Sequence, residues 1–396
     1  MLGLSLLVQT AASLGNTSVG PLAPALERDL VLSGSQLGLI VTAFYLGAIG
    51  ILLPAATAAD RRGPRELFLV GPAIIAVGLA VAALAPGFGW LLAGMVLAGF
   101  GNGIALPPTT RAVMEWFGPA SRGSAMSIKQ SGLALAGFLV AIAVPIALSH
   151  TSWRGILAAI AAVTLVSGAL AFAFYRDPRP RYDAKGPPRR GRLAALARDR
   201  RLLAVAGFAT LMSGIQLALI GFCVLFFHSA LGYSLLLAGG LLALAQISGV
   251  AARIVSGVLS DRLFGARRQP LLMLMAGAAA AGSLALSVAP AGTPIPVIAG
   301  VMVLLGFSAV GWSGVSMALV AELAGREESS AAAGLALTGS YVGVIVTPPV
   351  FGLLADLTGG YRLPFAALAV LGLVALASAA LAVDPALKAA RATEEA

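Results

Sequence analysis

Twelve almost purely apolar stretches, each about 20 to 28 residues long, follow one another along the chain, separated by short polar breaks except for one long polar segment at 176–201. They run approximately over 3–26, 36–58, 66–86, 89–114, 124–149, 154–175, 202–229, 234–259, 270–289, 294–321, 330–355 and 362–383. Helices of that kind have no polar face to turn to water. A bilayer accepts them, because roughly 20 apolar residues in a helix cross the hydrocarbon while satisfying every backbone group internally. The charged fraction agrees: 11% of residues, against about 25% in a water-soluble domain. The expected fold class is an all-α membrane protein with twelve transmembrane helices. The first stretch is too long, and too spotted with Gln9, Asn16 and Thr17, for a cleaved signal sequence, and no charged segment precedes it. It is read as a retained span.

The net charge of +10 could suggest nucleic acid, but its distribution argues for topology. With the amino terminus placed inside, 23 of the 26 Lys and Arg residues fall in or beside inner connections, and only Arg28, Arg154 and Arg362 fall outside. That asymmetry follows the positive-inside rule, so both termini are expected in the cytoplasm and the protein in the inner (plasma) membrane. No nucleic-acid partner is implied. The single cysteine, Cys223, lies in an apolar run and reads as core; His150 and His228 stand near outer span ends, so neither a metal site nor any other cofactor is indicated. No nucleophile and base pair occurs at suitable depth, so the chain is not expected to be an enzyme.

The segment 176–201, rich in Pro and Arg, is the one long polar stretch and divides the spans six and six. It reads as a cytoplasmic linker lying on anionic lipid headgroups. The expected organisation is a first six-helix bundle (1–175), the linker (176–201), a second bundle (202–383) and a cytoplasmic tail (384–396). The halves repeat one another. "AATAADRRGPREL" after the second span corresponds to "SGVLSDRLFGARRQPL" after the eighth, and "SWRG" opening the sixth span corresponds to "GYRLPF" at the twelfth. Duplicated, pseudo-symmetric halves are a transporter architecture.

The repeated loop pattern resembles the signature of the major facilitator superfamily, and the resemblance extends over the whole chain. The first copy departs from the pattern at Ala56 and Pro64 but keeps Asp60, Arg61, Gly63 and Arg65. The second keeps Gly257, Asp261 and Arg262, with Phe264 inserted before Gly265. The resemblance implies secondary transport by alternating access, with Asp60, Arg61, Arg65, Asp261 and Arg262 forming charge networks that latch the cytoplasmic side.

Two cations lie deeper. Arg253 is eight residues before Asp261, about 12 Å up the eighth span, and Lys129 is seven residues past Arg122, about 10 Å into the fifth. A cation in a span is costly and normally faces a cavity or a partner. The acids Asp60, Glu115, Asp261, Glu322 and Asp356 all fall near span ends, so the missing counter-charge is expected to arrive as substrate. Arginine's planar fork suits a carboxylate. "VAARIVSGVLSD" resembles the eighth helix of monocarboxylate transporters and oxalate/formate exchangers, which implies that Arg253 binds a substrate carboxylate; Gly249 replaces the acid that monocarboxylate transporters carry four residues earlier. The resemblance also implies that the fifth and eighth helices face one another, and that helices one, four, seven and ten line the cavity. That nominates Asn16, Asn102, Gln216 and Trp312, with Tyr45 and Tyr341 as amphipathic gates.

The expected function is therefore a monomeric secondary transporter of a small organic anion, with a proton or a counter-anion as the coupled partner. Efflux of neutral or amphipathic compounds is the alternative, and a transport-incompetent sensor or scaffold a third reading. The Gly-Pro motif of the fifth helix in drug exporters is missing from "SGLALAGFLVAIAVP", and no acid is embedded in a span, which disfavours cationic-drug export.

Overall fold

A computed structural model describes the backbone of residues 1–62, 64–118, 125–126, 128–176, 198–263 and 268–382. Side chains at 53, 56–62, 257–263 and 325–331 lie outside that description. Every described element is helical. In order they are α1 (Leu2–Thr17), α2 (Val19–Leu30), α3 (Gly34–Arg62), α4 (Pro64–Ala83), α5 (Phe88–Trp116), α6 (Gly132–Ala147), α7 (Trp153–Phe174), α8 (Arg200–Ser229), α9 (Leu235–Leu263), α10 (Gln269–Val288), α11 (Ile295–Leu305), a π-helical segment (Gly306–Val310), α12 (Ser313–Thr358) and α13 (Arg362–Leu381). Among the described residues, eleven helical stretches are individually long and apolar enough to cross a bilayer. Bulky side chains such as Val77, Leu84, Val166, Ile254, Leu274 and Val370 are more than half exposed, as a lipid-facing surface requires.

The first span differs from the sequence expectation. It is two helices meeting at Ser18, because Pro21 has no N–H to give the Thr17 carbonyl, and Thr17 and Ser18 turn their hydroxyls back on Ser13 and Gly15 carbonyls. Ser18 itself keeps helical dihedrals, and its N–H donates to Leu14 at 3.0 Å, so the chain bends rather than turns. The polar connection expected between the tenth and eleventh spans is also helical: α12 continues through it for 46 residues, with Pro348 and Pro349 lacking N–H donors near its end.

By compactness the chain forms two units. Unit 1 contains Met1–Lys185, Ile220–Ala243 and Pro348–Asp356. Its helices pack through small residues, because lipid offers no hydrophobic drive and only close backbone approach gains contact. A Cβ at Gly78 would strike Ala98 across α4 and α5, and one at Gly99 would strike the Phe44 carbonyl across α3 and α5. Within the same unit Gly20 lies against the Ile220 carbonyl, Gly38 against Pro348 and Gly352 against Gly34, while the Phe222 and Phe351 rings are 4.7 Å apart. Asp356 closes this cluster. Its Oδ1 accepts from the Gly34 N–H at 2.6 Å and its Oδ2 from the Ser35 N–H at 2.8 Å, capping the positive end of α3. Glu27 is held above the usual carboxylate range by desolvation and, second, by the Asp356 charge.

Unit 2 contains Gly186–Leu219, Leu244–Thr347 and Leu357–Ala396. Gly372 of α13 sits on Ala280 of α10, and Gln269 Nε2 donates to the Ala379 and Ala380 carbonyls at 3.1 and 2.9 Å, satisfying the end of α13. Gly343 of α12 rests on the Thr210 carbonyl of α8, beside a bond from Ser213 Oγ to the Ser340 carbonyl at 2.8 Å.

Candidate functional site

The π-helical segment organises unit 2. Gly306 stands against the Ala245 carbonyl, Gly249 against the Val310 side chain and Gly311 against Ala252, so α9 and the π segment meet backbone to backbone along a seam over residues 245–252. No larger residue fits at those three glycines. One residue past the seam is Arg253, whose Nε donates to the Val310 carbonyl at 3.1 Å. Val310 is the last residue of the π turn, and a turn at Gly311 and Trp312 follows it. Single π turns commonly mark functional positions because they re-aim backbone groups that an α-helix would consume. Here the carbonyl that closes the π turn accepts from a half-buried guanidinium.

In unit 1 Lys129 is 3% exposed. Its Nζ donates to Thr110 Oγ1 at 3.0 Å and Gln130 Oε1 at 3.3 Å, both neutral. No carboxylate among the described residues pairs with it. The acid Glu115, 8% exposed, is taken by Arg111 at 2.6 Å, with Glu115 Oε2 left without a partner among the described residues. A buried ammonium with only neutral oxygens for company bears an uncompensated desolvation cost.

The remaining candidates sort into pairs. Asn16 Nδ2 donates to Tyr45 Oη at 2.8 Å, and Asn16 Oδ1 is buried with no partner among the described residues. Asn102 Nδ2 donates to the Ala12 carbonyl at 3.1 Å, tying α5 to α1. In unit 2, Trp312 Nε1 donates to Gln216 Oε1 at 3.3 Å and its ring meets Phe208 edge to face at 5.8 Å, both Gln216 and Trp312 being buried. Tyr341 is half-buried in α12. Of the gate residues, Arg65 donates to the Phe172 carbonyl at 3.1 Å and stacks 4.8 Å over its ring, a cation at the carboxyl end of α7. The side chains of Asp60, Arg61, Asp261 and Arg262 lie outside the described residues.

Two buried amides were passed over in the sequence. Gln9 Oε1 on α1 has no partner among the described residues, and Gln246 on α9, 1% exposed, has none for either amide atom. Gln246 lies seven residues before Arg253, two helical turns on the same face, and that spacing was visible in the sequence. A cavity of about 420 Å³ in unit 1 opens between Pro24, Asp29, Trp153, Leu225 and His228, and no candidate residue lines it.

Comparison with known proteins places this architecture. Residues 5–336 match the Major Facilitator Superfamily family profile. A protein of Cupriavidus necator named as a probable sulfoacetate transporter is 29% identical, with 96% of this chain and 92% of that protein covered. Monocarboxylate transporter 13 of Rattus norvegicus is 27% identical over 81% of this chain and 75% of that protein. Among solved structures, an inward-facing, unoccupied bacterial homolog of the human lysosomal transporter Spinster aligns with a TM-score of 0.78 at 17% identity, and a D-xylose-proton symporter with 0.77 at 16%; both alignments cover 96% of each chain. The profile match over most of its length and the shared helical fold establish that this chain is a multi-pass membrane transporter protein belonging to the major facilitator superfamily.

Proposed function

We propose that the protein is a secondary transporter of small organic anions, carboxylates or sulfonates, working by alternating access in the plasma membrane with both termini in the cytoplasm. The observation that carries this reading is Lys129: an ammonium 3% exposed inside a membrane helix, hydrogen-bonded, among the described residues, only to neutral groups. Arg253 supports it from the other unit, since the Val310 carbonyl orients its guanidinium. Fixed planar donors favour an anion with two acceptor oxygens in one plane. Relatives named for sulfoacetate and monocarboxylate transport agree in ligand charge.

In this reading the halves 1–175 and 202–383 alternate about the linker 176–201, Asp60, Arg61, Arg65, Asp261 and Arg262 govern cytoplasmic closure, and the Asn16–Tyr45 and Gln216–Trp312 pairs and Tyr341 border the substrate path. The coupled ion is a proton or a second anion. A thermal-shift screen of the purified chain against carboxylates, sulfonates, inorganic anions and neutral amphiphiles tests the substrate class. Stabilisation by organic anions that is lost in Arg253→Gln and Lys129→Gln is expected; stabilisation by neutral amphiphiles alone contradicts the reading.

A further inference from the structure

Among the described residues of unit 2, Gln246 is the side chain with two buried polar atoms that lack a hydrogen-bond partner. Its residue is 1% exposed, and neither the amide oxygen nor the amide nitrogen meets a hydrogen-bond partner among the described residues. A primary carboxamide offers two N–H donors and an acceptor with two lone pairs, and burying all of them unpaired is a cost that folded proteins rarely retain without use. Its position is not arbitrary. The seam between α9 and the π segment is made by Ala245, Gly249 and Ala252 on the α9 side. Gln246 and Arg253 each follow a seam residue by one position, so both lie along the same edge of that seam, two turns and about 10 Å of helix apart. Helical side chains lean toward the amino terminus, which carries the long Arg253 side chain toward the Gln246 end of this edge. Ser308, on the π segment, gives its hydroxyl proton to the Leu304 carbonyl at 2.7 Å and not to Gln246.

We infer that Gln246 is a substrate-contacting residue that selects anions carrying a hydroxyl group: Arg253 takes the anionic end and the Gln246 amide accepts from, and donates to, a hydroxyl on the same molecule. This rests on the anion-transport reading above and narrows it. A hydroxyl is the smallest neutral group that both donates and accepts, and so uses both idle functions of the amide. An anion lacking it leaves the amide unpaired, which is where discrimination arises.

Matched pairs differing only in that hydroxyl provide the test: lactate against propionate, and isethionate against ethanesulfonate, with affinities measured by titration calorimetry on the full chain in nanodiscs. The wild type is expected to prefer the hydroxylated member of each pair by about tenfold. In Gln246→Met, which keeps length without hydrogen-bonding capacity, the preference falls to near unity, and in Gln246→Asn it returns in part. Folding of each variant is checked by its unfolding temperature, and the ratio within one variant is insensitive to loss of active protein. Equal wild-type affinities within each pair, or a preference that survives in Gln246→Met, overturn the inference while leaving anion transport standing. No binding of any of the four anions, or binding that Arg253→Gln leaves unchanged, instead removes the reading on which the inference rests.

Discussion

Replacing Lys129 by methionine is expected to make the empty protein more stable while removing its response to anions. The buried ammonium has two neutral partners, Thr110 Oγ1 and Gln130 Oε1, and no described carboxylate. A lysine at the centre of a spanning helix costs about 2.5–3.5 kcal/mol, which bounds from above the cost at Lys129 near the start of its span. The two hydrogen bonds return about 1 kcal/mol each. The difference leaves Lys129→Met up to about 1 kcal/mol more stable, since methionine fills the same volume with flexible apolar atoms. For a chain of this size that is a rise of about 1–2 °C in unfolding temperature. The assay is thermal unfolding in detergent, with and without a saturating organic anion. Wild type gains stability on adding the anion, whereas Lys129→Met starts higher and gains less. A variant that starts lower than wild type and keeps the full anion-induced gain would refute the reasoning, because Lys129 would then be a structural donor rather than a charge held in reserve for substrate.

Other perturbations address the frame. Asp356→Ala removes the carboxylate from the Gly34 and Ser35 N–H groups and should cost about 1 kcal/mol, read as a lowered unfolding temperature, with Asp356→Asn retaining part of it. Glu27, whose protonated form the fold favours, contributes stability that is present below the usual carboxylate range and lost as pH rises through its raised value; unfolding temperatures measured from pH 4 to 8 should therefore fall less steeply in Glu27→Gln. Glu115→Gln leaves the Arg111 guanidinium without its 2.6 Å carboxylate partner, and because Arg111 keeps 20% exposure the expected loss is about 1–2 kcal/mol by the same measurement. Gly306→Val drives a side chain into the Ala245 carbonyl, should cost 1–3 kcal/mol or more, and should weaken anion binding through displacement of Val310 from Arg253.

The spans were legible because each is a run of apolar residues long enough to cross the hydrocarbon as a helix. Other features depend on partners distant in sequence. The bend at Ser18 was visible in principle, since Pro21 withholds the N–H that Thr17 needs, but a mid-span proline reads as a kink of unknown size. The π turn at Gly306–Val310 has no local signature: "GFSAV" contains no proline, and the close contacts of Gly306 and Gly311 with α9 are with residues about 60 positions away in sequence. Likewise Gln216 and Trp312, 96 residues apart, were nominated separately and satisfy one another. Gln246 was the avoidable omission. Its register with Arg253 stood in the sequence, but an isolated glutamine in a span is ordinarily a helix-packing residue, and only the absence of hydrogen-bond partners among the described residues sets this one apart.

The central claim, that a guanidinium aimed by the π turn holds an organic anion during transport, is tested most directly by uptake of a labelled carboxylate or sulfonate into proteoliposomes containing wild type, Arg253→Lys or Arg253→Gln. Saturable uptake by the wild type, reduced at least tenfold in Arg253→Lys and lost in Arg253→Gln at equal reconstitution, is the predicted result. Uptake that Arg253→Gln supports at the wild-type rate would contradict it.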